Sequence, residues 1–364
     1  MQFQVVNNLK EFEKLRSDWD TLVFNADEEN IYVSYVWIHS ILSNLPQEQE
    51  IYFFCCWDNA NLIGVLPFIR YTVKTWPGVK LNCYRNCRGP YTAYFDLPIL
   101  NKSKDLLITI WDSFILGIEK WDIFEFGNVR ENTLIEHLHS YVSLHKEKVH
   151  IGSDIVYQMQ GSWDDYYNKI PKNLKKNYKQ IKNRLNKCEH YEVITVNKVE
   201  DVEYYYKKAK EIEGKSWKGN ENSLRTEQHE DYLVDFMKSL LKEHTLIFLF
   251  LKINHEYVSF CICPVINKFA ASMIKGYNQD FKYYSPGLFL SFILIESCHT
   301  DKIRNINVYH GNHSIQKRLA ISEPKDKYII RFFNRTPSVL YWKSIKYIKR
   351  KYKELKTIQL RDIK

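Results

Sequence analysis

The chain has 364 residues, 45% hydrophobic and 15% aromatic, with 52 Lys and Arg against 43 Asp and Glu for a net charge of +9. That length and composition predict a globular protein of two domains. No apolar run approaches the roughly 18 residues that cross a bilayer, and Met1-Gln2-Phe3-Gln4 lacks the form of a secretory signal. The eight cysteines, including Cys55-Cys56, Cys83, Cys87, Cys261 and Cys263, lack the paired spacing of a disulfide framework or zinc site. A cytoplasmic protein with reduced cysteines and no metal is the expectation.

Residues 2–7 alternate as a short strand. Leu9, Phe12, Leu15, Trp19 and Leu22 then recur at three- and four-residue steps, which places them on one helical face. Residues 34–45 predict a second helix that stops before Pro46. A β-hairpin follows, 51–57 and 62–71, around the turn Asp58-Asn59-Ala60-Asn61. Strand-like pieces at 81–84 and 94–100, a helix over 104–120 and a strand at 121–126 close the first half.

A long basic helix over 163–188, kinked at Pro171, opens the second half. Residues 191–196 predict a strand, 199–214 and 226–242 helices, and 246–253 with 257–265 a second hairpin around Asn254-His255-Glu256. An alternating strand at 269–277 stops at Asn278-Gln279-Asp280. Ser285-Pro286-Gly287 then opens an apolar run, 288–298, with helical spacing; Ser is a good N-cap and Pro fits the first helical position. Unpaired N–H groups at such a helix start attract phosphate, so the stretch suits a pyrophosphate. A final strand at 303–309 runs into His310-Gly311-Asn312-His313, with Lys317 just beyond. Both halves read strand, two helices, β-hairpin, strand, helix, strand.

The positive charge is local. Lys172, Lys175, Lys176, Lys179, Lys182, Arg184 and Lys187 follow one another with no acid between them, and the tail from Val339 is similarly basic. The sign points to anionic partners near these two places. Residues 339–356 put Leu340, Ile345 and Ile348 with Tyr341, Trp342, Tyr347 and Tyr352 on a lysine-rich helix. That composition suits peripheral contact with an anionic membrane, at the inner face for a cytoplasmic protein, or docking on the protein itself.

Glu213-Gly214-Lys215-Ser216-Trp217-Lys218-Gly219 is similar to the E-x-x-S-W-K-G signature of CelD-like acetyltransferases. Gly276-Tyr277-Asn278, Ser285-Pro286-Gly287, Gly311 and Lys317 match, in order and rough spacing, that family's Y-D, S-P-G and D-x-x-x-G-x-x-x-Y-K positions. Over about residues 163–318 the chain therefore resembles the CelD-like and FemAB-like branches of the GNAT acyltransferase superfamily. The first half resembles them more loosely, through Ser34, Trp37 and the 121–126 strand. Asn278, Asn307 and Gln316 stand where the family usually has Asp, Asp and Tyr, and neither half has the R/Q-x-x-G-x-G/A run of typical GNAT enzymes.

The resemblance implies an α/β (α+β) fold of two tandem GNAT-like domains, each a mixed, mostly antiparallel sheet flanked by helices. The first domain, degenerate, spans 1–160, the acyltransferase domain 161–337, and a basic amphipathic helix 338–364. It implies N-acyl transfer, acetyl by preference, from acetyl-CoA or another acyl-CoA to a small-molecule or glycan-linked amine in polysaccharide or cell-envelope synthesis. The alternatives are a FemAB-like transferase using aminoacyl-tRNA, for which the basic helix would suit an RNA backbone, and a non-catalytic binding protein on the same fold.

Amine acylation needs a base, a group that polarises the thioester carbonyl, and geometry that joins the substrates. Glu213, at a helix end beside glycine bends, is the first candidate base, with Trp217 as the apolar neighbour that makes such a carboxylate more effective. His310, at the end of the last strand, competes for the role. Tyr277, Asn278, Ser285, Pro286, Gly287 and Lys317 are the expected cofactor contacts, and Lys218, Asn307 and Tyr309 the expected substrate contacts.

Overall fold

In the first half, apolar alternation and Asn-rich turns build a meander. β1 (Gln2–Val6) pairs antiparallel with β2 (Gln49–Asp58); a turn at Asn59, φ 54°, leads into β3 (Asn61–Thr75), and β4 (Val79–Asn86) completes it. The computed structural model describes residues 1–27, 30–75, 78–89, 91–216, 224, 230–243, 245–308, 318–320 and 323–345. Three helices separate β1 from β2: α1 (Leu9–Lys14), α2 (Arg16–Asp27) and α3 (Tyr35–Ser43). Asn8 caps α1 and Ser34 caps α3, each side chain accepting from a backbone N–H of the first turn. The single helix expected over Leu9 to Leu22 is thus two, joined at Leu15, with Phe12, Trp19 and Leu22 all buried.

The strand expected at 94–100 does not form. Apart from one bridge between Gly64 and Ile99, this segment runs outside the ladders. Its backbone is held by other means: the Phe95 N–H donates to the Asn128 carbonyl at 2.9 Å, and the Pro98 carbonyl accepts from the Val65 N–H at 3.1 Å. The Asp96 carboxylate accepts from Leu134 N and Ile135 N at 3.1 and 3.3 Å, so it serves the start of a helix rather than a sheet edge.

After α4 (Lys104–Gly117) and β5 (Ile123–Arg130) come two elements that the sequence reading passes over, α5 (Leu134–Tyr141) and β6 (His145–Gln158). The basic helix is two helices, α6 (Trp163–Lys169) and α7 (Lys172–Leu185), because Pro171 sits at the boundary with extended ψ. There follow β7 (Tyr191–Thr195), α8 (Val202–Gly214), α9 (Glu230–Lys242), β8 (Leu246–Ile253) and β9 (Glu256–Ile266). The strand at 269–277 is interrupted at Met273, giving β10 (Phe269–Ser272) and β11 (Ile274–Tyr277); then come α10 (Pro286–Thr300), β12 (Asn305–Val308) and β13 (Lys325–Phe333).

One sheet runs through both halves in the order β1-β2-β3-β4-β5-β13-β6-β12-β10-β9-β8-β7, with β11 on β9. The late strand β13 lies between β5 and β6. β6 is long enough to serve two neighbours: residues from His145 to Asp154 face β13, and Ile155 to Gln158 face β12. An apolar cluster crosses from one half to the other on one face, with Trp37 of α3 edge-on to Phe236 of α9 at 5.1 Å. A second cluster lies on the opposite face under α7 and α10. All eight cysteines are free and seven are buried, as expected of core residues; burial pushes the Cys55 thiol up to about 12.

Residues 337–345 are helical, and Val339 is buried with Leu81, Cys83, Ile123 and Phe333, while Trp342 packs at 6.0 Å on Phe333. The described start of the tail therefore docks on the protein; residues 346–364 lie outside the described residues. Among the described residues no helix is long and apolar enough to cross a membrane.

At the join of the halves, Arg130 and Asp154 form an ion pair with side chains 9% and 0% exposed; Nε donates to Oδ1 at 3.0 Å, and the guanidinium lies 3.7 Å over the Tyr94 ring. Removing one partner of a buried pair strands the other charge. Asp154→Ala should lower stability to denaturant by about 3–5 kcal/mol, whereas Glu50→Ala, in an exposed pair with Arg70, should cost less than about 1 kcal/mol.

Candidate functional site

The segment β10-β11-α10-β12 makes a strand-helix-strand unit. β10 pairs with β12 in parallel, Phe269 opposite Asn305 through Ser272 opposite Val308, and antiparallel with β9. Beyond Met273 the chain continues as β11, paired among the described residues with β9. The helix that returns to β12 thus starts at the carboxyl end of a parallel pair, the place where open α/β sheets bind ligands.

The connection is tight. Gln279–Tyr284 form a 3-10 helix whose first turn is capped by Asn278, its Oδ1 accepting from Asp280 N at 3.0 Å. Asn278 is buried, and its own N–H donates to the Val258 carbonyl at 2.9 Å. Ser285 then takes φ 46° and ψ 52°, a left-handed conformation that is costly for a residue with a Cβ and doubly so before proline. The expected side-chain N-cap is absent, because this backbone conformation differs from the extended one that aims a cap at the helix. The Ser285 carbonyl instead accepts from Leu288 N and Phe289 N, both at 3.1 Å.

Two glycines allow the close approach. A Cβ on Gly287 would meet Tyr277 Cδ1 at 3.3 Å, and one on Gly276 would meet Phe260 Cε1 at 2.7 Å. The first turn of α10 therefore packs closely on Tyr277. The positive end of a 15-residue helix and the Gly287 N–H at this turn suit an anion.

Glu213 is fully buried near the end of α8, and its Oε2 accepts from the Leu224 N–H at 2.8 Å. Just after it, the Lys215 carbonyl accepts from Gln279 N at 3.1 Å, tying the end of α8 to the loop before α10. A cavity of about 200 Å³ opens at this corner, lined by Lys208, Glu211, Lys215, His255 and Tyr257 among others. Asn307 is also buried, on β12; its Nδ2 donates to Asp154 Oδ2 at 3.0 Å, and its Oδ1 has no partner among the described residues. The structure thus brings Tyr277, Asn278, Ser285, Pro286 and Gly287 together at one turn, with Glu213 linked to it through Lys215. It places Asn307 in the ion-pair network between the halves. Trp217, Lys218, Tyr309, His310 and Lys317 lie outside the described residues.

The sequence reading missed Arg130, Asp154 and Lys327. Burial lowers the Lys327 ammonium below its ordinary value, with Asp154 opposing that effect and Arg130 adding to it. Their only local signal is a charge inside an otherwise strand-like run.

Residues 172–316 match the family model of an acetyltransferase (GNAT) domain. No curated protein matches the chain. Among solved structures the chain is similar to FemX, with a TM-score of 0.63 at 10% identity over 93% of this chain and 98% of that one. It is also similar to a conserved protein of unknown function from Bacteroides thetaiotaomicron VPI-5482, at 0.53 and 13% over 91% and 99%, and to L-PGS from Bacillus licheniformis, at 0.50 and 11% over 89% and 94%. At these identities the likenesses establish the fold: a mixed α/β structure of the GNAT type, as the sequence resemblance implies.

The left-handed turn gives a direct check on the geometry of the site. Ser285→Gly removes the Cβ that this conformation disfavours and should leave stability unchanged or raise it by up to about 1 kcal/mol. Ser285→Val should lower it by about 1–2 kcal/mol, since β-branched residues tolerate this region worst. Thermal denaturation of both variants measures the difference.

Proposed function

We infer that this chain, which belongs to the GNAT acyltransferases through its domain at residues 172–316, moves an acyl group from acyl-CoA to the nitrogen of an amine. The observation that carries the donor assignment is the turn from β11 through left-handed Ser285 into α10, with Gly287 packed closely on Tyr277 at the carboxyl end of a parallel strand pair. The pyrophosphate of CoA would sit at the start of α10, on the Gly287 N–H and the positive end of the helix, and the acyl thioester would extend toward the strand ends. In the reaction the amine nitrogen bonds to the acyl carbon, the carbon–sulfur bond breaks, and CoA leaves as its thiol.

The amine must also lose a proton, and Glu213 takes it in this reading. The acceptor is a small or glycan-linked amine of the kind used in cell-envelope or polysaccharide synthesis, and acetyl is the first acyl group to try. These finer assignments rest on the resemblance in Glu213 to Gly219 and on the S-P-G turn. The rival donor is an aminoacyl-tRNA, favoured by the exposed cations of α7. Binding of acetyl-CoA and of charged tRNA to the purified chain separates the two. Contact of the basic tail with anionic lipid is confined in this proposal to residues 346–356, since the turns before them dock on the protein.

Gly287→Glu places a carboxylate and a longer side chain at the start of α10. It should weaken acyl-CoA binding at least about tenfold by calorimetry while the protein stays folded, because anions compete for the same helix start. Unchanged affinity in a folded variant removes the pyrophosphate assignment.

Glu213→Gln separates a base from an anchor. The amide oxygen still accepts the Leu224 N–H, but the group takes no proton. If Glu213 is the base, kcat/KM falls by about two to four decades with acyl-CoA binding intact. Glu211→Gln, on an exposed side chain paired with Lys208, should do little. Full activity in Glu213→Gln would leave the residue only a structural task, and greater damage from His310→Ala would move the base to His310.

A further inference from the structure

Among the described residues the cations of α7 form no ion pair. Its apolar stripe, Leu174, Tyr178, Ile181 and Leu185, is buried, and the ion pairs of the second half involve other residues, such as Lys208 with Glu211, Lys238 with Glu203 and Lys252 with Glu192. Lys175 and Lys182 lie against Tyr167 and Tyr178 of the second half, and Arg184 is held beside the turn before α10. Arg184 donates from Nη1 to the Tyr283 carbonyl at 2.6 Å, and its guanidinium carbon lies 4.8 Å over the Tyr283 ring. Tyr283 is 64% exposed, with Tyr284 edge-on to it at 5.2 Å.

This pair stands beside the start of α10. Tyr283 belongs to the 3-10 helix that ends at Ser285, and four peptide units separate it from Gly287, so their Cα atoms lie within about 15 Å. Lys187 lies in the turn just past the end of α7, its N–H donating to the Arg184 carbonyl at 3.1 Å, and Lys282 adjoins Tyr283; both are exposed. A guanidinium fixed on an exposed tyrosine, with two flexible ammonium groups near it, matches a nucleoside whose ribose carries a phosphate monoester. Arginine binds phosphate through paired N–H groups, and a tyrosine face stacks on a base.

We propose that Arg184, Lys187, Lys282 and Tyr283 form the subsite for the 3′-phosphoadenosine end of the donor, making the protein selective for CoA over otherwise identical thiols that lack the 3′-phosphate. The proposal rests on the acyl-CoA reading above. An RNA strand is the other ligand such cations take. The nucleotide is favoured because the fixed Arg184–Tyr283 pair lies at the last turn before α10, where one ligand of CoA's length reaches both the patch and the helix start.

The test is calorimetric titration of the full chain with CoA and with 3′-dephospho-CoA, which share the pyrophosphate and the pantetheine arm. The wild type should bind CoA at least about tenfold more tightly, the loss expected for one charge-assisted phosphate contact. Arg184→Ala should bring the two ligands within about twofold by weakening CoA alone, and Arg184→Lys should restore part of the preference. Lys172→Ala, at the far end of α7, should keep all of it. If Arg184→Ala does not fold, the double variant Lys187→Ala, Lys282→Ala should lose at least about half of the preference on a logarithmic scale. Equal binding of both ligands by the wild type, or a full preference in Arg184→Ala, overturns the subsite while leaving the acyl-CoA reading standing. No binding of either ligand overturns both. Loss of tRNA binding in Arg184→Ala, with the CoA preference intact, would reassign the patch to RNA.

Discussion

The structure depends on a strand that arrives late. β13 enters the sheet between β5 and β6 and so hydrogen-bonds to the first half on one side and to the connecting strand on the other. Without it, β5 and β6 would each present an open edge in the middle of the molecule. The ion pair of Arg130 with Asp154 lies at this seam, one residue from β5 and one from β6. Two charges removed from water are tolerable only together. The seam is therefore specified by charge as well as by backbone pairing.

That constraint extends to the site. Asn307, next to the end of β12, donates to the same Asp154 carboxylate. β12 is the parallel partner of β10, whose continuation leads into α10. The position of the turn into α10 is thus set partly by residues of the first half, although every residue of that turn belongs to the second. The first half contributes in a further way, since Trp37 and Ser40 of α3 contact Phe236 and Tyr232 of α9, the helix neighbouring α8.

Around α10 the chain accepts local cost for close approach. A left-handed serine precedes a proline, and two glycines stand where a Cβ would strike Tyr277 or Phe260. Each choice is unfavourable or neutral for stability alone. Together they bring a helix start, with the Gly287 N–H and the positive end of the helix, against the end of a strand. Arg184 and Tyr283 add a fixed cation and an exposed ring on the approach to it. Such a combination is expected where a backbone must meet an anionic ligand rather than merely turn.

What the sequence determined by itself is local. The hairpins at β2-β3 and β8-β9, the helix opening at Pro286, the break at Pro171 and the apolar face of α7 all follow from period, cap and turn chemistry within a few residues. The Glu213 to Gly219 run and the S-P-G turn carried the family. The rest was decided by tertiary structure, because it rests on partners distant along the chain. Arg130 meets Asp154 across 24 residues, and Asn307 meets Asp154 across 153. No periodicity marks β13 as the strand that fills a gap in the first half, and a lone charge in a strand-like run does not name its counter-ion. Ser285 reads as an N-cap by residue type, and only the 3-10 helix before it forces the left-handed backbone that turns its side chain away from that task. Local propensity reports what a segment can form; which of those options is taken depends on burial and pairing supplied from elsewhere in the fold.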